Sequence, residues 1–271
     1  MNKLNHYVLS ALCAAPLLLN GTYVLAEEAA PAATVAAAPA EPAPPYTLSF
    51  NLGLYSNYIF RGVNNSNGPA LQGGIDFAHS SGLYVGTWFS TIDPQVSVGN
   101  HQEIDFYGGY AHTFENGVGV NFMGNYYWYP DDRRGELTHT YDSFEASAGV
   151  SYKFLTYTYY NMLTRNYGAV DSKNAEYHEL KAAYKLPVGD LNLLAKVGYT
   201  NTHQADNYDQ GDFTIGLNRD FVLPGSGKPI EGFNAGAYYT DTFSVDDQSF
   251  YTTTARDTNE RQLTFYIKRT W

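Results

Sequence analysis

Apolar and polar residues alternate with a period of two along most of the chain. In the stretch 118–129, Val118 and Phe122 share one parity and Asn121 falls on the other, and the stretch 142–153 repeats the pattern. Successive side chains of a β-strand point to opposite faces, so these runs predict strands with one apolar and one polar face.

Turn residues bound about twelve such segments, most of them about ten residues long. The predicted strands are 46–60, 69–79, 83–92, 102–114, 118–129, 142–153, 155–164, 176–186, 191–201, 211–221, 231–241 and 259–271. Strands of this length and alternation are typical of transmembrane barrels. We therefore predict an all-β fold, a transmembrane antiparallel up-and-down β-barrel of about twelve strands.

The connections between these segments alternate in length. Short ones fall at 80–82, 115–117, 154 and 188–190, and long polar ones at 129–141, 165–175 and 244–257, with 223–229 as a long exception on the short side. Outer-membrane barrels have short periplasmic turns and long extracellular loops. The pattern and the even strand number predict that both termini are periplasmic. A secreted soluble β-sandwich would explain the alternation but not this asymmetry.

The end of the chain has the pattern of a final barrel strand. Leu263, Phe265 and Ile267 alternate toward the terminal Trp271, although Arg269 departs from the apolar residue expected there. We expect the barrel assembly machinery to be a partner through this strand.

Aromatic residues near the predicted strand ends favour interfacial girdles in contact with outer-membrane lipids and lipopolysaccharide. These residues are Tyr58, Phe60, Tyr127, Trp128, Tyr129, Tyr238 and Tyr239.

The first residues predict export. Lys3 precedes an apolar run at 8–19 that is too short to span a bilayer as a helix, and Ala26 ends a small-residue site. We predict a signal peptide at 1–26, an Ala/Pro-rich periplasmic linker at 27–45 and an outer-membrane barrel at 46–271, in a Gram-negative bacterium.

Charge and cysteine content exclude several classes of function. Without Lys3, the mature chain has 15 basic and 27 acidic residues and a net charge of −12. Such an acidic protein is a poor partner for nucleic acid. Since the one cysteine is Cys13, inside the predicted signal peptide, the mature chain offers no disulfide or thiolate chemistry.

The opening motifs resemble a known family. SNYIFRGV (56–63), PALQGGIDFAHSSGLYVGTW (69–88) and EIDFYGGY (103–110) are similar to those of the TorF family of porin-like exported proteins. The resemblance covers about 46–271. It implies an outer-membrane barrel and a solute channel, and it supplies no substrate.

Charges within the strands fall on the polar parity, which we predict to line the lumen. The pore-lining candidates are Arg61, Asp76, Glu103, Asp105, Glu145, Lys153, Glu179, Lys181, Lys185 and Lys196. They predict either a pore that selects solutes by charge or a set of ion pairs that plugs a narrow barrel.

The pattern as a whole predicts a channel for passive diffusion of small hydrophilic solutes, without a cofactor, a metal or catalytic residues, and with an oligomeric state that the pattern leaves open. The alternatives are a non-conducting structural or adhesive barrel and an outer-membrane lipid-modifying enzyme. The run Asp206, Asp209 and Asp212 lacks a full calcium-loop pattern. His79 next to Ser80 and Ser81 lies at a predicted turn, where adjacency alone does not make a nucleophile–base pair.

The stretch between the first two predicted strands is polar and contains one arginine. We interpret 62–68 as the first extracellular loop, with Tyr58 and Phe60 on the lipid face and Asn57 opposite Gln72 in the hairpin. This interpretation places Arg61 at the channel mouth, as a charge acting on solutes or as a partner in a rim salt bridge.

Overall fold

The computed structural model describes residues 44–96, 99–130, 140–169, 171–203, 209–222, 229–251 and 257–271. The predicted signal peptide and nearly all of the predicted linker lie outside these residues. No helix in this part of the chain has the length and hydropathy that crossing a membrane requires.

Twelve strands of the described chain close into one antiparallel barrel, which confirms the predicted fold class. They are β1 (Tyr46–Tyr55), β4 (Ala70–His79), β5 (Leu83–Thr91), β6 (Gln102–Thr113), β7 (Val118–Trp128), β8 (Ser143–Tyr152), β9 (Leu155–Met162), β10 (Glu176–Lys185), β11 (Asn192–Asn201), β12 (Gln210–Val222), β13 (Pro229–Phe243) and β14 (Gln262–Thr270). Two short strands, β2 (Ile59–Phe60) and β3 (Val63–Asn64), pair with each other outside this sheet.

Each barrel strand pairs with its neighbours in sequence, and β1 pairs with β14 to close the barrel. At this seam Asn51 lies opposite Thr270, and the backbone N–H of Trp271 donates to the carbonyl of Phe50 at 2.8 Å. Because β1 and β14 are antiparallel, Tyr46 and Trp271 lie at the same end. We call this the turn end, and the opposite end, where the longer connections lie, the loop end.

The two faces of the barrel follow the predicted parity. In β7, Phe122 is 55% exposed on the outside, whereas its neighbour Met123 is 5% exposed on the inside. Leu and Phe side chains dominate the outer face, which suits contact with lipid.

The predicted aromatic girdle is partly wrong. Tyr127 and Tyr238 are 1% and 6% exposed and share the inner parity, whereas Trp128 and Tyr239 lie on the outer parity. Tyr129 follows the end of β7 and is also buried.

The first strand is shorter than predicted. β1 ends at Tyr55, and residues 56–69, which we call the inserted segment, enter the barrel. Gln72 accordingly pairs with Gly53 rather than with Asn57. The alternation of Leu52, Leu54, Tyr58 and Phe60 therefore spans two separate elements.

Candidate functional site

The inserted segment is a small hairpin with Arg61 at its tip. Phe60 pairs with Val63, which leaves Arg61 and Gly62 as the two turn residues, with φ angles of 47° and 82°. Two successive positive φ values are typical of type I′ turns, which favour Asn-Gly. A Cβ atom at Gly62 would lie 2.6 Å from Thr242 Cγ2 and 3.0 Å from Asp212 Cβ, so only glycine fits this approach to the wall.

The Arg61 side chain binds a carboxylate on the opposite part of the wall. Its Nη1 and Nη2 atoms donate to Oε1 and Oε2 of Glu145, each at 2.9 Å. The guanidinium carbon also lies 4.3 Å from the ring centroid of Tyr177, and 4.8 Å from those of Tyr160 and Phe60. A bidentate salt bridge combined with cation–π contacts is among the strongest sets of interactions that an arginine side chain makes.

Further contacts tie the inserted segment to the wall and to the connection before β14. The Tyr58 hydroxyl donates to Glu103 Oε1 at 3.2 Å, and Gln210 Nε2 donates to the carbonyl of Arg61 at 2.9 Å. The N–H of Asn64 donates to the carbonyl of Thr258 at 2.7 Å. The segment therefore crosses the lumen near the loop end, from β6 on one side to β12 on the other.

Burial affects the pKa values of the two ionisable side chains of the segment, Arg61 and Tyr58, in opposite directions. Burial disfavours the guanidinium charge, but the adjacent Glu145 carboxylate raises the pKa of Arg61 well above its ordinary value. Burial instead raises the pKa of Tyr58, and the Glu103 and Asp105 charges add to the rise. Arg61 therefore stays a cation and Tyr58 stays a hydrogen-bond donor.

A second buried carboxylate, Asp212, is paired within the wall itself. Lys196 Nζ lies 2.9 Å from Asp212 Oδ1, and the Tyr177 hydroxyl donates to Oδ2 at 2.8 Å. Glu179 lies 4.0 Å from Lys196 and 3.9 Å from Lys181. Strands β10 to β12 thus carry a chain of alternating charges.

The other predicted acids lie on the inner parity of β4 and β6. Asp76 accepts a hydrogen bond from the Tyr107 hydroxyl, and the buried Asp105 accepts one from Asn125 Nδ2 at 3.4 Å. Together with Glu103, which Tyr58 contacts, they make this side of the lumen acidic.

Two of the predicted lysines lie at the turn end, away from these groups. Lys153 is exposed in the turn between β8 and β9, with its Nζ atom 5.2 Å from the ring centroid of the outward-facing Tyr152. Lys185 is the exposed last residue of β10. The structure does not bring either one into the charged part of the lumen.

The prediction for the opening stretch, beyond the pairing of Gln72, is wrong in two further respects. Tyr58, 1% exposed, and Phe60 lie inside the barrel rather than on its lipid face. Residues 62–68 belong to the inserted segment, so Arg61 is within the lumen and its salt bridge is buried rather than at a rim. The two-residue Arg61–Gly62 turn was the available signal for this hairpin.

Sequence reasoning missed Asp212, Gln210 and the inward tyrosines. Asp212, the last aspartate of the run that lacks a full calcium-loop pattern, faces the lumen and pairs with Lys196. Asp206, in the same run, lies outside the described residues. Among the described residues, no cluster of three or more His, Cys, Asp or Glu side chains could hold a metal ion.

The His79–Ser81 pair has a local structural role. Ser81 Oγ lies 2.9 Å from His79 Nδ1, which also accepts the backbone N–H of Ser81 at 3.1 Å. This exposed contact closes the turn after β4.

A model of the family described as "Bacterial protein of unknown function (Gcw_chp)" matches residues 39–271. No curated protein matches the sequence. Among solved structures, the KdgM porin is similar with a TM-score of 0.50 and 5% identity over 82% of this chain and 98% of the porin. The NanC porin has a TM-score of 0.46 and 10% identity over 83% and 98% of the two chains. Acinetobacter baumannii OccAB2 has a TM-score of 0.40 and 10% identity over 86% and 66%. The likeness to KdgM shows a shared barrel fold, and the TorF name stays a prediction.

Proposed function

From the premise that this chain belongs to the Gcw_chp family of bacterial proteins of unknown function, we propose that it is an outer-membrane channel. The barrel would pass small hydrophilic solutes by passive diffusion, with its turn end and both termini in the periplasm. Lipids and lipopolysaccharide would contact the outer face, and the barrel assembly machinery would recognise the strand that ends at Trp271.

The observation that carries this proposal is the contrast between the two faces of one closed sheet. The outer parity carries exposed apolar side chains such as Leu54 and Phe122, and the inner parity carries charges such as Glu179 and Lys196. A soluble barrel would have to expose this apolar surface to water. A lumen lined by positive and negative side chains gives hydrophilic solutes polar contacts while they cross.

The inserted segment favours a second candidate function. Tyr58, Glu145 and Asp105 are almost fully buried, so the lumen is closely packed near the loop end. A barrel that stays in this state would be a non-conducting structural or adhesive protein. We favour a channel because the segment is joined to the rest of the barrel by side-chain contacts and isolated backbone hydrogen bonds, whereas the strands are joined by continuous hydrogen-bond ladders.

Planar-bilayer recording of the refolded protein in KCl tests the proposal. We expect stepwise conductance from protein whose β-sheet circular dichroism and heat-modifiable electrophoretic mobility confirm a folded barrel. The same protein after heat denaturation is the control. A folded barrel that never conducts would support the second candidate instead.

Solute specificity needs a separate measurement. Proteoliposome swelling in sugars, small anions and small cations would rank solutes by size and charge. We expect uncharged solutes to enter according to size alone, because the described lumen carries both signs of charge.

A further inference from the structure

Arg61 occupies a site that has the chemistry of an organic-cation binding site. Glu145 offers two carboxylate oxygens to one planar group, and the rings of Tyr160 and Tyr177 offer their faces at 4.8 and 4.3 Å from its carbon. We call Glu145, Tyr160 and Tyr177 the Arg61 cage. We propose that the Arg61 cage binds solutes carrying a guanidinium group, and that Arg61 is a tethered occupant which such solutes replace.

The cage is built on the barrel wall and not on the inserted segment. Glu145 lies on β8, Tyr160 on β9 and Tyr177 on β10, and Tyr160 and Tyr177 are direct cross-strand partners with ring centroids 5.7 Å apart. Because strands fix these positions, the cage keeps its shape when Arg61 leaves. Phe60, which also contacts the guanidinium, would leave with the segment.

Neighbouring groups hold the cage side chains in place. The Tyr127 hydroxyl donates to Glu145 Oε2 at 2.9 Å, and the Tyr177 hydroxyl donates to Asp212. A Cβ atom at position 198 would overlap the Tyr177 ring, so Gly198 provides the room that this ring occupies. Binding residues that are already oriented lose little conformational entropy when a ligand arrives.

The cage chemistry selects a planar cation. A carboxylate accepts two parallel N–H bonds from a guanidinium, and an ammonium cannot match this fork geometry. Ring faces attract cations and offer nothing comparable to a neutral isostere such as urea. The site should therefore discriminate both by charge and by shape.

Several features make Arg61 a replaceable occupant. It is attached through a short hairpin whose two strands have two residues each, and its own φ of 47° is uncommon for a residue other than glycine or asparagine. A positive φ at an arginine is an unfavourable backbone state that the cage contacts offset. A solute with the same head group makes those contacts without that backbone state.

This inference rests on the proposed function, because a solute must enter the lumen to reach the cage. Its test nevertheless uses a binding measurement that requires a folded barrel and no conductance. The probe is methylguanidinium chloride, titrated calorimetrically into detergent-solubilised barrel, with urea and methylammonium chloride as the neutral and non-planar comparisons.

The informative variant is Arg61→Asn, because Asn-Gly is the preferred pair for this turn and the shorter side chain empties the cage. We expect Arg61→Asn to bind methylguanidinium at least about tenfold more tightly than Arg61→Asn/Glu145→Gln does, because the doubly mutated barrel lacks the charge-assisted pair. Wild-type protein should bind more weakly than Arg61→Asn, because its own arginine competes. Arg261→Asn, in the exposed chain before β14, removes one arginine elsewhere and should behave as wild type.

Equal binding by Arg61→Asn and the double variant, or equal binding of urea and methylguanidinium, would overturn the proposal. Arg61→Ala is carried in parallel, so that a folding defect in one variant does not decide the result. Binding without conductance would remove the channel and keep the cation site. Conductance without binding would remove the cation site and keep the channel.

Discussion

Glu145 and Asp212 are two buried lumen carboxylates with nearly matching surroundings. Each is 1% exposed, each has a cationic nitrogen at 2.9 Å, and each accepts a tyrosine hydroxyl at 2.9 or 2.8 Å. The difference is how the cation is attached. Lys196 lies on the strand next to Asp212, whereas Arg61 reaches Glu145 from a segment 84 residues earlier.

This difference separates a permanent part of the wall from a removable one. The backbone of Lys196 is held by the ladder between β11 and β12, so this residue stays next to Asp212 as long as the sheet is intact. Arg61 belongs to none of the barrel strands, so the inserted segment would leave the ladder intact if it moved into water. The same chemistry therefore stabilises the barrel at Asp212 and holds an occupant in the lumen at Glu145.

The largest expected effect is on stability. Asp212→Ala removes the close carboxylate from the buried Lys196 and leaves its Nζ atom 4.0 Å from Glu179 and 5.9 Å from the ring centroid of Tyr177, so we expect a loss of about 3 kcal/mol in the free energy of unfolding. Glu145→Ala should lose about 1 kcal/mol, the scale of a lost hydrogen bond, because Arg61 can leave with the segment. Urea titration of barrels folded in lipid vesicles measures both. A larger loss for Glu145→Ala would mean that Arg61 is as fixed as Lys196.

The next largest effect is on how firmly the inserted segment is held in the lumen. Gly62→Ala places a Cβ atom against Thr242 and Asp212 and should favour the expelled segment by about 2 kcal/mol. Trypsin cleavage after Arg61, mapped by mass spectrometry, should then increase roughly tenfold or more.

Gly117→Ala is the matched control for Gly62→Ala. Gly117 has the same φ of 82°, but the nearest atom to its Cβ position is Tyr152 Cε2 at 3.9 Å. Both substitutions therefore carry the same backbone cost, and only one meets the wall. Similar cleavage after Arg61 in the two variants would show that the segment does not depend on this close approach.

The smallest effect distinguishes Tyr127, which contacts Glu145, from Tyr177, which contacts Asp212. Tyr127→Phe removes a hydrogen bond to Glu145 and should weaken the hold on Arg61 by about 1 kcal/mol, with trypsin cleavage rising about fivefold. Tyr177→Phe removes the bond to Asp212 but keeps the ring under Arg61, so cleavage should change less. The reverse order would indicate that the Tyr177 hydroxyl, and not its ring, retains the segment.

The barrel wall was predictable from sequence because strand parity is a local property. The stretches 118–129 and 142–153 alternate without interruption, and both became strands within a residue or two of the predicted bounds. The lumen position of Glu145 follows from the same parity. Apolar side chains that must avoid water fix this register.

The inserted segment was not predictable in this way. Tyr58 and Phe60 continue the parity of Leu52 and Leu54, so the local pattern is the same whether the chain continues as a strand or turns inward. Contacts with distant residues distinguish the two, among them the ion pair with Glu145, 84 residues later. A period-two pattern contains no information about contacts of that range.

The most direct test of the account is the single-channel conductance of Arg61→Asn beside Lys196→Gln, each in the same KCl solution as wild type. Both variants remove one lumen cation from a buried pair, but of the two pairs only Arg61–Glu145 involves the inserted segment. We predict that Arg61→Asn conducts more than wild type and that Lys196→Gln changes conductance by much less. Equal conductance of folded Arg61→Asn and wild type, or a larger increase in Lys196→Gln, would contradict the account.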